Sequence, residues 1–286
     1  MKHPILAAIV LLLLSNVLHA SEVEIIRLSD GNRDHAVLSL ALDATIEDFG
    51  PYQLKHHKAE VQGRAIEELA NNRGIDVLWF ATSAQREKRL HAIPIPIDMG
   101  MLGFRVCMIR KGSQAAFGRI RNLQGWRASG VSIGQHQHWP DTGILKANHL
   151  DVVTSQTYDA LFQMLRAKRF DCFARSILEI DREMKELQIT DLEIERNLLL
   201  VYPMPTFMFV SKQNIRLAKR LTQGLTRIQQ DGRLKAVVLK QHEKHIEDLN
   251  LKQRRIIHLN NPELTKETRA LLGSPSLWLD FQAAMP

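Results

Sequence analysis

Residues 198–212 read LLLVYPMPTFMFVSK. The stretch is apolar and extended, yet prolines stand at 203 and 205. Proline has no amide hydrogen to give a ladder and is poorly tolerated inside a central strand. A similar run, GMLGFRVCMIRKG, lies far upstream at 100–112. The two runs flank a complete block of alternating strands and helices, so they read as a two-stranded crossing between two lobes. The first lobe is then discontinuous, residues 21–104 plus 208–286, and the second is 105–207.

The pattern on either side supports this division. In the first block, 24–28 is a short extended run. Leu38, Leu42, Thr45 and Phe49 recur at helical spacing over 36–49, and Gly50-Pro51 stops that helix. Residues 52–55 fit a strand, and Ala65, Ile66, Leu69 and Ala70 mark a second helix. IDVLWF at 75–80 is nearly all apolar, as in a strand buried on both faces. The second block repeats the scheme. GVSIG at 130–134 is a strand, and 140–148 is a helix with Pro140 at its first position. A strand at 151–154 precedes a helix with the stripe Tyr158, Leu161, Phe162 and Leu165. A strand at 170–174 and a helix at 177–187 complete the block. Helices at 214–231 and 232–246 follow the second crossing. The tail beyond Leu249 reads as irregular, with Trp278, Leu279 and Phe281 tucked against a lobe. Two βαβ-rich blocks give an α/β fold with helices covering each sheet.

The first twenty residues stand apart. Lys2 precedes an apolar run over 5–14, and small Ala20 precedes Ser21. This is the pattern of a cleaved secretory leader rather than a membrane span. Its removal leaves 266 of the 286 residues, enough for two modest lobes. The formal charge of +7 falls to +6 with the loss of Lys2. The basic residues are scattered along helices, which argues against nucleic acid and for a mild attraction of small anions. Cys107 and Cys172 lie in strand-like runs. Export permits a bridge, but pairing demands a specific Cα spacing, so two buried free thiols are expected.

Several motifs lead nowhere. HEKH at 242–245 has its histidines three apart, whereas a zinc protease needs His-Glu-x-x-His. His136 and His138 sit in a loop with Asp141 as the only carboxylate nearby, short of a tetrahedral set. No Gly-x-Ser-x-Gly elbow or phosphate loop is present. No metal, cofactor or catalytic residue is assigned.

The stretches IDVLWFATSAQREKRL, FRVCMIRKGSQAAF, HWPDTGILKAN, YDALFQMLRAKRFDCFAR and FMFVSKQNIRLAKRLTQGL together resemble the bacterial extracellular solute-binding proteins of family 3, the polar amino acid type. The resemblance implies the two-lobed type 2 periplasmic-binding-protein fold, each lobe a mixed sheet flanked by helices, joined by a two-stranded hinge. It implies a monomer that closes on a small carboxylate-bearing solute, an amino acid or organic acid, for an ABC-type permease or a membrane sensor. In such proteins a Thr or Ser followed three residues later by Arg grips the solute's carboxylate. The match is the turn Thr82-Ser83 with Arg86, whose planar fork of donors suits a carboxylate. The turn GQHQHWPDTGIL at 134–145 is then a ligand cradle, with Gln135, Trp139, Asp141 and Thr142 lining it. The family's ammonium-holding Asp is replaced at the corresponding position by Ser176, preceded by Arg175, with Glu179 one turn on. Arg175 would attract a second acid group, which makes an organic acid plausible. A dehydratase-like enzyme using Asp141 or Glu179 as general acid is the alternative. A third reading is a degenerate binding fold used as a structural or interaction protein.

Overall fold

The computed structural model describes residues 23–29, 35–57 and 62–279. The expected leader, most of the first loop and Phe281 lie outside these residues.

The chain begins with β1 (Glu24–Ser29), α1 (Ala36–Asp43), α2 (Ile46–Phe49), β2 (Tyr52–His57), α3 (Gln62–Ala70), β3 (Val77–Ala81), α4 (Ala84–Arg89) and β4 (His91–Ile93). The single helix expected over 36–49 is two. Thr45 leaves helical geometry (φ −126°, ψ 12°), and its hydroxyl donates to the carbonyls of Ala41 and Leu42 at the break. The second block holds β5 (Phe104–Arg110), α5 (Leu123–Ser129), β6 (Ile133–His136), α6 (Pro140–Ala147), β7 (Val152–Ser155), α7 (Tyr158–Arg166), β8 (Cys172–Ser176), α8 (Ile180–Glu186), β9 (Leu192–Ile194) and β10 (Leu198–Val201). The chain ends with β11 (Thr206–Val210), α9 (Ile215–Gln230), α10 (Arg233–Asp248), β12 (Arg255–His258) and α11 (Lys266–Ala270).

These strands form two mixed sheets. The five-stranded sheet runs β2-β1-β3-β11-β4, with β1 parallel to β2 and β3, and β11 antiparallel to both its neighbours. The seven-stranded sheet runs β12-β10-β5-β8-β6-β7, with β9 also paired to β5. The first sheet is sealed by α1 and α9, whose Leu38, Leu42, Leu217, Leu221 and Leu225 are all buried.

The run 198–212 divides where its prolines fall. β10 belongs to the second sheet and β11 to the first, and Tyr202–Pro205 make the crossing between them. The other crossing passes through 94–103. The two touch at Gly103, where a side chain would overlap the Tyr202 carbonyl. Asp98 fastens them together. Its buried carboxylate accepts the amides of Gly100 (3.0 Å), Leu102 (3.1 Å) and Thr206 (3.3 Å) and the Thr206 hydroxyl (2.8 Å).

Two expectations are corrected. Residues 255–258 are not an irregular part of the first lobe; they form β12, parallel to β10 in the second sheet. Four residues with one turn of alternation are too short for periodicity to mark. Cys107 and Cys172 are not free thiols but a disulfide with Cα atoms 5.0 Å apart. β5 and β8 are neighbours with Cys107 opposite Ala174, and Cys172 stands two residues from Ala174 on the same face. That adjacency, invisible in sequence, supplies the required spacing.

A cleft between the lobes as the candidate functional site

The carboxyl ends of β3 and β8 and the start of α6 face one cavity of about 340 Å³. The first lobe contributes Trp79, Phe80, Ala81, Arg86 and Thr206, and the crossings contribute Leu102 and Met204. The second lobe contributes Arg105, Trp139, Pro140, Asp141, Arg175 and Glu179. A larger cavity of about 690 Å³ lies between the crossings and the tail, but it holds none of Arg86, Arg105 and Arg175.

On the first-lobe side, Ser83 caps α4 by accepting the Arg86 amide at 3.4 Å. Arg86 follows one turn in. Its guanidinium lies 4.6 Å over the Phe80 ring and donates to the Ala81 carbonyl. Burial pulls its pKa below the ordinary arginine value. Among the described residues no carboxylate pairs with it.

The second-lobe side is a network of five charges. Arg105, 3% exposed, reaches Asp141 at 2.8 Å and Glu179 at 3.6 Å. Tyr202 donates its hydroxyl to Asp141 and accepts from Arg105 Nε at 3.1 Å. Burial, with the Asp141 charge adding to it, pushes the Tyr202 phenol well above its usual range. Arg175 lies 4.5 Å over the Trp139 ring, with Glu179 at 3.0 Å and Glu183 taking both its Nε and a terminal nitrogen. Burial opposes its charge, but the two glutamates outweigh burial and raise its pKa.

Charge counting then separates the two walls. Arg105 and Arg175 are set against Asp141, Glu179 and Glu183, leaving one negative charge in surplus on the second lobe. The Asp141 side chain is 4% exposed and that of Glu183 12%, whereas that of Glu179 is 34% exposed and borders the cavity. The surplus therefore faces the cavity at Glu179. Across from it stands the unpaired charge of Arg86.

Of the residues anticipated, Arg86, Trp139, Asp141 and Arg175 line this cavity; Thr82, Ser83, Gln135, Thr142 and Ser176 are not among its lining. Each of the five has a local engagement. Thr82 donates to Glu87 at 2.6 Å, and Ser83 is the cap. Gln135 is fully buried, donates to the Ala174 carbonyl at 2.9 Å and leaves its own Oε1 unpaired. Thr142 donates to the His136 carbonyl at 2.9 Å, and Ser176 accepts the Leu178 amide at 3.2 Å. Arg175, expected to attract a second acid group, is bonded to Glu183 and Glu179 of its own lobe. His136 is occupied with the Gln156 carbonyl and the His138 amide, and no cluster of three His, Cys, Asp or Glu able to hold a metal occurs among the described residues. Trp79, Phe80, Arg105 and Met204 were not anticipated. Only Arg105 left a signal, a lone charge inside the apolar run FRVCMI.

The class follows from the sheet order, the two crossings and the cleft between lobes. This is the type 2 periplasmic-binding-protein fold. No protein-family model matches the sequence, and no curated protein matches it. Solved structures do. The periplasmic VFT2 domain of Bordetella pertussis BvgS matches 76% of this chain and 92% of its own, with a TM-score of 0.57 at 12% identity. A probable amino-acid ABC transporter extracellular-binding protein from Bacillus subtilis matches 77% and 97%, with a TM-score of 0.56 at 13% identity. A Salmonella typhimurium periplasmic binding protein of high arginine specificity matches 76% and 98%, with a TM-score of 0.50 at 13% identity. At these identities the likeness is one of fold. Among the described residues no helix is long and apolar enough to cross a membrane.

Proposed function

We propose that this chain is a periplasmic solute-binding protein, exported by a cleaved leader, whose lobes close on a small α-amino acid with an apolar side chain. The ligand's carboxylate pairs with Arg86, its ammonium faces Glu179, and its side chain lies against Trp79, Phe80 and Trp139. The closed form serves a membrane transporter or sensor. One observation carries this reading: an unpaired guanidinium and a surplus, part-exposed carboxylate face each other across a 340 Å³ cavity with aromatic walls. A zwitterion matches that charge pattern, and a simple organic acid matches only half of it. The enzyme alternative is less well supported, since Asp141 and Glu179 are both held as ion-pair acceptors by arginines.

Titration calorimetry with L-phenylalanine and 3-phenylpropionate tests the reading, because the two share a skeleton and differ only in the ammonium. Phenylalanine should bind at least tenfold more tightly, and Glu179→Gln should narrow the gap. Equal or tighter binding of phenylpropionate would favour the organic acid. Failure of all twenty amino acids to bind would overturn the proposal.

A further inference from the structure

The tail beyond β12 touches both walls of the cleft within a few residues. On the second-lobe side, Asn260 and Asn148, the residue that ends α6, exchange hydrogen bonds of 3.0 and 2.7 Å. Glu263 lies so close upon α6 that a methyl group on Gly143 would overlap its carboxylate. α6 is the helix that carries Asp141. On the first-lobe side, Thr265 and Thr268 donate their hydroxyls to Glu87 at 2.7 and 2.8 Å, and Thr82 adds a third at 2.6 Å. Glu87 stands on α4, next to Arg86. Thr265 also caps α11 by accepting the Thr268 amide at 3.1 Å, which fixes both hydroxyls in place.

We propose that residues 260–268 form a strap joining the two helices of the cleft, and that Glu87 is the positioning residue that ties the strap to the Arg86 helix. Only two peptide steps separate Glu263, resting on α6, from Thr265, bonded to α4, and fully extended they span about 7 Å. Hinge opening draws α4 and α6 apart. The strap allows that only by giving up the Glu87 hydroxyls or the contacts with α6. A carboxylate accepting three hydroxyls is a stronger tie than neutral hydrogen bonds would make. The lobes are therefore held near the arrangement seen here even without solute, and release of the strap is the step that admits and frees it.

The test uses small-angle scattering of the full mature protein without ligand, so its outcome is independent of what the cleft binds. Wild type should scatter as compactly as this structure. The double variant Thr265→Val with Thr268→Val removes the donors at nearly constant volume. Its radius of gyration should rise by about 1 Å over the roughly 18 Å of a compact chain of this length. A four-residue Gly-Ser insertion after Leu264 keeps every donor but lengthens the strap, and it should give the same expansion. It also reads out the proposal if the valine variant fails to fold. Glu87→Gln keeps one acceptor oxygen, puts an NH2 donor in place of the other and removes the charge, so it should expand part of the way toward the valine variant. Cooperatively melting variants that scatter like wild type would overturn the proposal, and so would a wild type already expanded beyond this structure.

Discussion

Asp141 shows how a single residue's role depends on partners distant in sequence. Its carboxylate, 3% exposed, neutralises Arg105 and receives the Tyr202 hydroxyl, and that tyrosine lies 97 residues from Arg105. Removing one member of a buried pair strands the other charge, at about 3–5 kcal/mol. Asp141→Ala should therefore lower stability by that amount in denaturant melts, and adding Arg105→Met should recover much of it. A double variant no better than the single would contradict the pairing. At this scale sequence reading was uneven. The place of Arg86 in the cavity lining follows from a local pattern, a capping serine three residues before an arginine. Thr142 and Ser176 bond backbone groups a few residues away, and Gln135 bonds the Ala174 carbonyl of the neighbouring strand, engagements that depend on local and sheet geometry that a residue type does not display. Arg105 was missed because its partners, Asp141 and Tyr202, come from other elements.

Among elements, the β5–β8 pair carries a covalent tie besides its ladder. Cys107–Cys172 closes a loop of 65 residues, and chain-entropy reasoning gives about 4 kcal/mol for a loop of that size. Changing both cysteines to alanine should lower the thermal midpoint by many degrees while leaving the solute preference unaltered. A midpoint unchanged within a degree would show that the bridge adds nothing. The alternation of strands and helices was readable because IDVLWF and the Tyr158–Leu165 stripe have distinct periods. The prolines at 203 and 205 marked the interruption of 198–212, but the lobe boundary expected at 207/208 falls inside β11, which begins at Thr206. The partner of each strand was not readable, and two misreadings follow from this: the bridge needed the β5–β8 pairing, and β12 needed β10.

For the whole molecule, three tyrosines, all in described segments, report on packing. Burial first, with Asp43 adding to it, pushes Tyr52 up to about 12. Burial, with nearby acids adding to it, also raises Tyr158 and Tyr202. In the unfolded chain a tyrosine ionises near 10. The unfolded state thus loses protons first, and stability falls as pH rises through about 10 to 12. Phenolate absorbance of the folded protein should stay flat to about pH 11 and then rise together with unfolding; an early rise near pH 10 would contradict the burial of these rings. The two-lobed architecture was legible at this scale, whereas the strap was not, since it joins Glu87 to Thr268 across 181 residues. The central claim is that Arg86 receives the carboxylate of a small solute in the interlobe cleft. Its most direct test is a thermal-melt screen of wild type and Arg86→Ala against the twenty L-amino acids. A true ligand at about 100 times its dissociation constant adds roughly 2.7 kcal/mol to wild type. At least one such shift is expected, lost in Arg86→Ala, whose own melt falls only by the Phe80 contact and Ala81 hydrogen bond that Arg86 gives up. A shift that survives Arg86→Ala, or none across the panel, would contradict it.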